Sequence, residues 1–149
     1  MHKVVGLIPT RFNSRRLPGK SLKMIGNLPL IIHTYRRTKL AKKLDDVYIC
    51  CDTKEVVDVA KKYNAKVILT SQKHKCGSDR IYEAFKKIKK NYSQIVDIQG
   101  DEPLIDPKNI DKVVDFHKRN KKYDIILPNL PTKFTTDPHI VRLIFNQSK

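Results

Sequence analysis

The sequence predicts an α/β fold: a doubly wound, Rossmann-like, mostly parallel sheet in one domain spanning residues 1–149. Three observations carry that prediction. Strand-like and helix-like stretches alternate from end to end, the order that wraps helices around a parallel sheet with right-handed crossovers. The first apolar run, Val4-Val5-Gly6-Leu7-Ile8, is continuous rather than alternating, as expected of a strand buried on both faces. The chain leaves that strand through a loop carrying Arg11, Arg15, Arg16 and Lys20 and no acid. An open α/β sheet holds phosphate-bearing ligands beyond the C-terminal ends of its strands, so this loop reads as a nucleoside triphosphate loop. Pro9, Pro18 and Gly19 stiffen it and hold the cations partly in place before a ligand arrives. A solvated basic loop is the plainer alternative. A Walker loop is disfavoured, because Ser14 stands where that motif needs glycine and Leu22 to Asn27 looks like a short excursion with a turn.

The remaining elements follow in order. Pro29 suits a helix start, and a helix is expected from Leu30 to about Lys43. Val47 to Cys51 is the second strand, ending at Asp52-Thr53. A helix from about Lys54 to Tyr63 follows, with Val56, Val59, Ala60 and Tyr63 on one face. Lys66 to Leu69 is a third strand. The polar loop from Thr70 to Gly77 leads to Ser78, a suitable N-cap, and to a helix packed through Ile81, Ala84, Phe85 and Ile88. Ile95 to Ile98 is a fourth strand, with Gln99-Gly100-Asp101-Glu102-Pro103 as its exit loop. Pro107 opens a helix with a stripe of Ile110, Val113, Val114 and His117. Asp124 to Leu127 reads as a fifth strand and His139 to Phe145 as a sixth.

Composition excludes several functions. The net charge of +16 invites nucleic acid, but the lysines are spread over nearly every expected helix. No helix-turn-helix, zinc finger, RNP-type or KH-type motif is visible, so sequence-specific nucleic-acid binding is not expected. No apolar run approaches the roughly 20 residues of a membrane span, and Met1-His2-Lys3 leads directly into a strand, so neither membrane insertion nor a signal peptide is expected. Cys50, Cys51 and Cys76 are odd in number and lack metal-ligand spacing, which suits free core thiols in a reducing cytoplasm. The first strand is not followed by G-x-G-x-x-G, which disfavours a dinucleotide cofactor.

The loops after the first, third and fourth strands can share one crevice. They bring the cationic loop, a helix start at Gly77-Ser78-Asp79-Arg80, and the pair Asp101 and Glu102. Such a set suits a Mg²⁺-bound triphosphate, because Mg²⁺ takes oxygen ligands, keeps waters and uses one or two protein carboxylates. Asp101 also suits a turn or cap; beside a cationic loop it is the better metal candidate, with Glu102 pointing elsewhere.

Ile8-Pro9-Thr10-Arg11-Phe12-Asn13-Ser14-Arg15-Arg16-Leu17-Pro18-Gly19-Lys20-Ser21-Leu22 resembles the I-P-A-R-Y-x-S-x-R-L-P-G-K-P-L signature of the 3-deoxy-manno-octulosonate (Kdo) cytidylyltransferases. His74-Lys75-Cys76-Gly77-Ser78-Asp79-Arg80 resembles their H-x-S-G-T-[ED]-R segment. Gln99 to Pro103 matches Q-G-D-E-P, and Pro138-His139-Ile140-Val141-Arg142 is similar to P-N-x-V-K. The Q-G-D-E-P match favours this branch over the sialic-acid cytidylyltransferases. Thr10, Ser21, Cys76, Ser78 and Arg142 depart from the pattern, and Thr10 and Cys76 fall on the expected nucleotide pocket.

The resemblance implies a nucleotide-diphospho-sugar transferase type of fold and transfer of CMP from CTP to the anomeric hydroxyl of Kdo, giving CMP-Kdo for lipopolysaccharide. It implies Arg11, Lys20 and Asp101 as catalytic residues, with Asp101 holding Mg²⁺. The CTP contacts it implies are Leu7, Pro9, Thr10, Arg11, Ser14, Arg16, Lys20, Gly77, Ser78, Asp79, Arg80 and Gln99. Family members continue into a sugar-acid site, a second metal-binding aspartate and most of a homodimer interface. This chain therefore corresponds to a C-terminally truncated enzyme, expected to bind CTP and to turn over poorly. A cytidylyltransferase for another acidic or amino sugar, and a basic interaction module without catalysis, are the rival readings.

Overall fold

The chain runs β1 (Val4–Pro9), a tight hairpin of β2 (Met24–Ile25) and β3 (Leu28–Pro29), α1 (Leu30–Thr38), β4 (Asp46–Cys51), α2 (Lys54–Lys62), β5 (Val67–Leu69), α3 (Gly77–Lys87), β6 (Gln94–Asp97) and α4 (Pro107–Arg119). These elements belong to a computed structural model that describes residues 2–12 and 17–129. Four strands form one parallel sheet in the order β5-β4-β1-β6, so the apolar first run sits inside it, as expected. Gly6 pairs with Val47 on one side and Val96 on the other.

Burial follows the strand period of two. Ile8 on β1 and Val47, Ile49 and Cys51 on β4 face a core built with Ile31, Ile32, Val56, Ala60 and Ile110 of α1, α2 and α4. Val5, Leu7 and Cys50 face Ile81 and Ala84 of α3 on the opposite side. The strand order reverses after β5, because β6 joins on the other side of β1, and the ends of β1 and β6 lie side by side at that switch. That is where a doubly wound sheet opens a crevice.

Some boundaries differ from expectation. α1 stops at Thr38 because the chain tightens into turns, with Leu40 N–H bonded to Arg37 O and Ala41 N–H to Thr38 O. The next amides, of Lys42 and Lys43, donate to the Asp111 carboxylate of α4 and cannot extend the helix. α3 starts at Gly77 with Cys76 as its N-cap, so Ser78 lies inside the first turn. The fifth strand is a correction: Asp124 to Leu127 pairs with no other strand among the described residues. Ile125 and Leu127 are largely exposed, and His117 bonds the Tyr123 carbonyl, holding the start of the segment at the end of α4. An apolar run forms a strand only where a sheet edge lies alongside it. The sixth, His139 to Phe145, lies outside the described residues.

At the edge of the sheet away from the crevice, Asp46 takes hydrogen bonds from Lys66, Tyr92 and Lys90. Burial raises its pKa, but those three donors outweigh burial and hold it well below the usual carboxylate range. A depressed folded pKa stabilises above the unfolded value, about 3.9 for aspartate, and that contribution fades as pH falls below it. Asp46→Asn is therefore expected to cost stability at neutral pH and progressively less below about pH 4. Urea unfolding of both proteins at stepped pH measures this; a pH-independent gap contradicts it.

Candidate functional site

Pro9, the last residue of β1, is where three strand exits meet. A methyl group at Gly100 would stand 2.8 Å from the Pro9 carbonyl oxygen, so the turn after β6 approaches as closely as only glycine allows. A methyl at Gly77, the first residue of α3, would lie 3.5 Å from the Pro9 ring. α1 supports the turn from behind, as the Thr34 hydroxyl donates to Gly100 O at 3.2 Å.

Lys20 and Asp101 meet across this junction. The Lys20 ammonium lies 2.6 Å from Asp101 Oδ2, with both side chains about two-fifths exposed (38% and 45%). Lys20 opens a short 3₁₀ turn, Lys20–Leu22, that follows Gly19 in the left-handed conformation (φ 66°). Gly19 N–H in turn donates to Phe12 O at 2.9 Å, and the Phe12 ring lies over Gly19.

The α3 end of the crevice is tied down by polar contacts. Glu83 accepts from Ser71 N–H at 2.9 Å, pairs with Lys87 at 2.6 Å and meets His74. Lys87 first, then the Ser71 amide and His74, hold the Glu83 carboxyl down at about 2. The loop from Ser71 to His74 is thus fixed ahead of α3. Among the described residues no side chain caps the α3 N-terminus, which begins beside Pro9 and favours an anion there.

The expected site residues divide as follows. Pro9 and Thr10 are partly exposed at the end of β1, with Thr10 N–H bonded to Cys50 O at 2.8 Å. Arg11, Gly77, Ser78, Asp79, Gln99 and Asp101 are exposed around the junction, and Lys20 is partly exposed. Ser14 and Arg16, with Arg15, lie outside the described residues. Two contacts need correcting. Leu7 is fully buried inside the sheet and its carbonyl accepts from Ile98 N–H at 3.0 Å, so it does not face a ligand. Arg80 is 3% exposed, and its guanidinium is spent on Asp52 Oδ2 (3.1 Å) and the Thr70 hydroxyl (2.6 Å). The residue missed from the sequence is Asp52. Its signal, a carboxylate at a strand exit on the crevice edge, is the one that singled out Asp101.

Cys50 and Cys51 are buried free thiols, pushed up to about 12 and about 11 chiefly by burial. Both are inert core groups as expected, whereas Cys76 is exposed at the α3 N-cap.

Among the described residues no group of three or more His, Cys, Asp or Glu side chains gathers into a metal cage. Exposed Asp101 fits a hard divalent cation that brings most of its oxygen ligands with it as phosphate and water. No helix among the described residues is long and apolar enough to cross a membrane.

The cytidylyltransferase family profile matches residues 5–143. The chain is 43% identical over 112 residues to the mitochondrial 3-deoxy-manno-octulosonate cytidylyltransferase of Arabidopsis thaliana, covering 75% of this chain and 39% of that protein. It is 40% identical over 119 residues to the 8-amino-3,8-dideoxy-manno-octulosonate cytidylyltransferase of Shewanella frigidimarina, covering 79% and 49% respectively. A solved structure of CMP:2-keto-3-deoxy-manno-octonic acid synthetase complexed with CTP superposes with a TM-score of 0.76 at 31% identity, over 80% of this chain and 48% of that one. The chain thus spans half or less of the length of each of these three proteins.

Proposed function

Because the chain belongs to the cytidylyltransferase family, we propose that the crevice at Pro9 binds CTP with a divalent cation and forms the nucleotide half of an enzyme that activates Kdo as CMP-Kdo. In that reaction the anomeric hydroxyl oxygen of the sugar acid bonds to the α-phosphorus of CTP. The bond from that phosphorus to the oxygen leading to the β-phosphorus breaks, pyrophosphate leaves, and the hydroxyl proton passes to solvent. Such transfer asks the protein for alignment and charge neutralisation rather than covalent work.

The single observation that carries this reading is the 2.6 Å approach of Lys20 to Asp101. It joins the first and third of the sequence motifs in one place and sets a phosphate-type cation beside a metal-type carboxylate. Lys20 and Arg11 would hold the triphosphate, with Arg16 and the Ser14 hydroxyl adding contacts from the same loop. Asp101 would hold Mg²⁺, which supplies charge neutralisation at the phosphates when bound. Gln99 and the Gly77 to Asp79 turn would meet the nucleoside, and backbone around Pro9 and Thr10 would accept from the cytosine amino group. The same reading places the protein in the cytoplasm, in the supply of activated sugar for lipopolysaccharide, and in a homodimer at full length.

Uracil carries a carbonyl where cytosine has its amino group and would leave those acceptors unpaired, at a cost of about 1–3 kcal/mol. CTP is therefore expected to bind about fivefold or more tightly than UTP in the presence of Mg²⁺. Calorimetric titration of CTP, UTP and ATP tests this. Equal binding of every triphosphate, falling steeply with salt, would mark a basic polyanion-binding module instead. The Shewanella relative named for an 8-amino sugar favours a second acceptor. Pyrophosphate release with Kdo against its 8-amino analogue separates the two.

A further inference from the structure

We propose that Asp52 and Arg80 are positioning residues for the triphosphate loop: a buried ion pair that fixes the backbone from which Lys20 crosses to Asp101. This rests on the CTP reading above and deepens it, since both side chains are bonded to each other and to the protein around the loop.

The two oxygens of Asp52 have separate tasks. Oδ2 takes the Arg80 guanidinium at 3.1 Å, and Oδ1 takes the backbone N–H of Phe12 at 3.0 Å. The side chains are 4% and 10% exposed for Arg80 and Asp52, so the carboxylate is buried against a cation that is itself pinned. Arg80 is pinned by the Thr70 hydroxyl at 2.6 Å and by Ser71 O at 3.4 Å. Thr70 is anchored in turn, its hydroxyl donating to Cys51 O at 2.8 Å. One cation on α3 therefore ties together the exits of β4 and β5 and, through Asp52, the exit of β1.

From Phe12 the connection runs to the site. Phe12 O accepts from Gly19 N–H at 2.9 Å, and Lys20 is the next residue, 2.6 Å from Asp101. The loop is thus closed at its root by one backbone bond, and Phe12, where that bond ends, is held by a second from its amide to a buried carboxylate. A hydrogen bond to an ionised acceptor is worth more than a neutral one, and a loop held before the ligand arrives loses less entropy on binding. A merely stabilising pair would not need an oxygen aimed at the loop. Apolar residues of similar volume often replace such pairs without loss of stability.

The test compares Asp52→Asn with Asp52→Ala by amide hydrogen exchange and CTP titration. Asn loses the ion pair but keeps a carbonyl oxygen for the Phe12 amide; Ala loses both. In Asp52→Ala the Phe12 and Gly19 amides are expected to exchange about tenfold or more faster, while Ile98, bonded to Leu7 O, stays protected. CTP affinity falls about tenfold in Ala and changes little in Asn, although both variants lose urea stability. A uniform rise in exchange, an unchanged Phe12 amide, or CTP affinity that tracks stability equally in both variants overturns the proposal. Should the alanine variant not fold, Arg80→Lys serves. It keeps the charge but cannot bridge Asp52 and Thr70 together, so the same two amides loosen while Ile98 does not; uniform or unchanged exchange overturns the proposal there too. If the unmodified chain binds no CTP, the exchange result still decides the positioning role, and the CTP reading fails separately.

Discussion

Lys20→Ala is expected to weaken CTP binding roughly ten- to hundredfold while leaving the fold intact. A charge-assisted contact to a phosphate oxygen is worth about 1.5–3 kcal/mol, and that range converts to this loss in affinity. Stability should scarcely move. The Lys20–Asp101 pair is over a third exposed on both sides, and exposed ion pairs contribute about 0–1 kcal/mol. The main-chain bonds of its turn, Lys20 N–H to Leu17 O and Lys23 N–H to Lys20 O, do not depend on the ammonium. Titration of CTP beside urea unfolding separates the two effects. An affinity equal to that of the unmodified protein would remove Lys20 from the site.

Asp101→Asn is expected to abolish the strengthening of CTP binding by Mg²⁺. Asparagine matches the shape and can still accept from Lys20, so the turn pinned by Gly100 and Thr34 keeps its place. It lacks the negative charge through which a hard cation would be held, and no cage of acidic or imidazole groups stands by among the described residues to replace it. CTP titrated with Mg²⁺ and with a chelator gives the metal effect directly. Should that effect survive in the variant, the cation is held elsewhere.

Which of these features could be read from the chain follows from what each depends on. Val4 to Ile8 announced a buried strand because a strand covered on both faces needs nothing more than continuous apolar side chains. Asp101 and Lys20 were legible because the topological rule gathers strand exits whatever their distance in sequence, and the two do meet. Arg80 was misjudged for a reason of the same kind. The family resemblance counted it with Gly77 to Asp79 as a ligand contact, but a guanidinium on α3 can turn inward once a carboxylate waits there, and Asp52 had not been given that part. Leu7 sat too deep, since the sheet claims its carbonyl for Ile98. Asp124 to Leu127 carried the apolar pattern of a strand but pairs with none among the described residues. Pattern reports what a segment can bury, and pairing depends on residues far away in the chain.

Among the described residues β6 lies at the border of the sheet, with Ile95 43% exposed. A strand at a border offers a ladder of amide and carbonyl groups to any extended chain that comes alongside, including another copy of this one. The +16 charge works against that, because like-charged molecules repel before their borders can meet. That repulsion reaches about 10 Å at 0.1 M ionic strength and about 3 Å at 1 M. Colloidal behaviour is thus coupled to ionic strength, and concentrated salt removes the repulsion that keeps such borders apart.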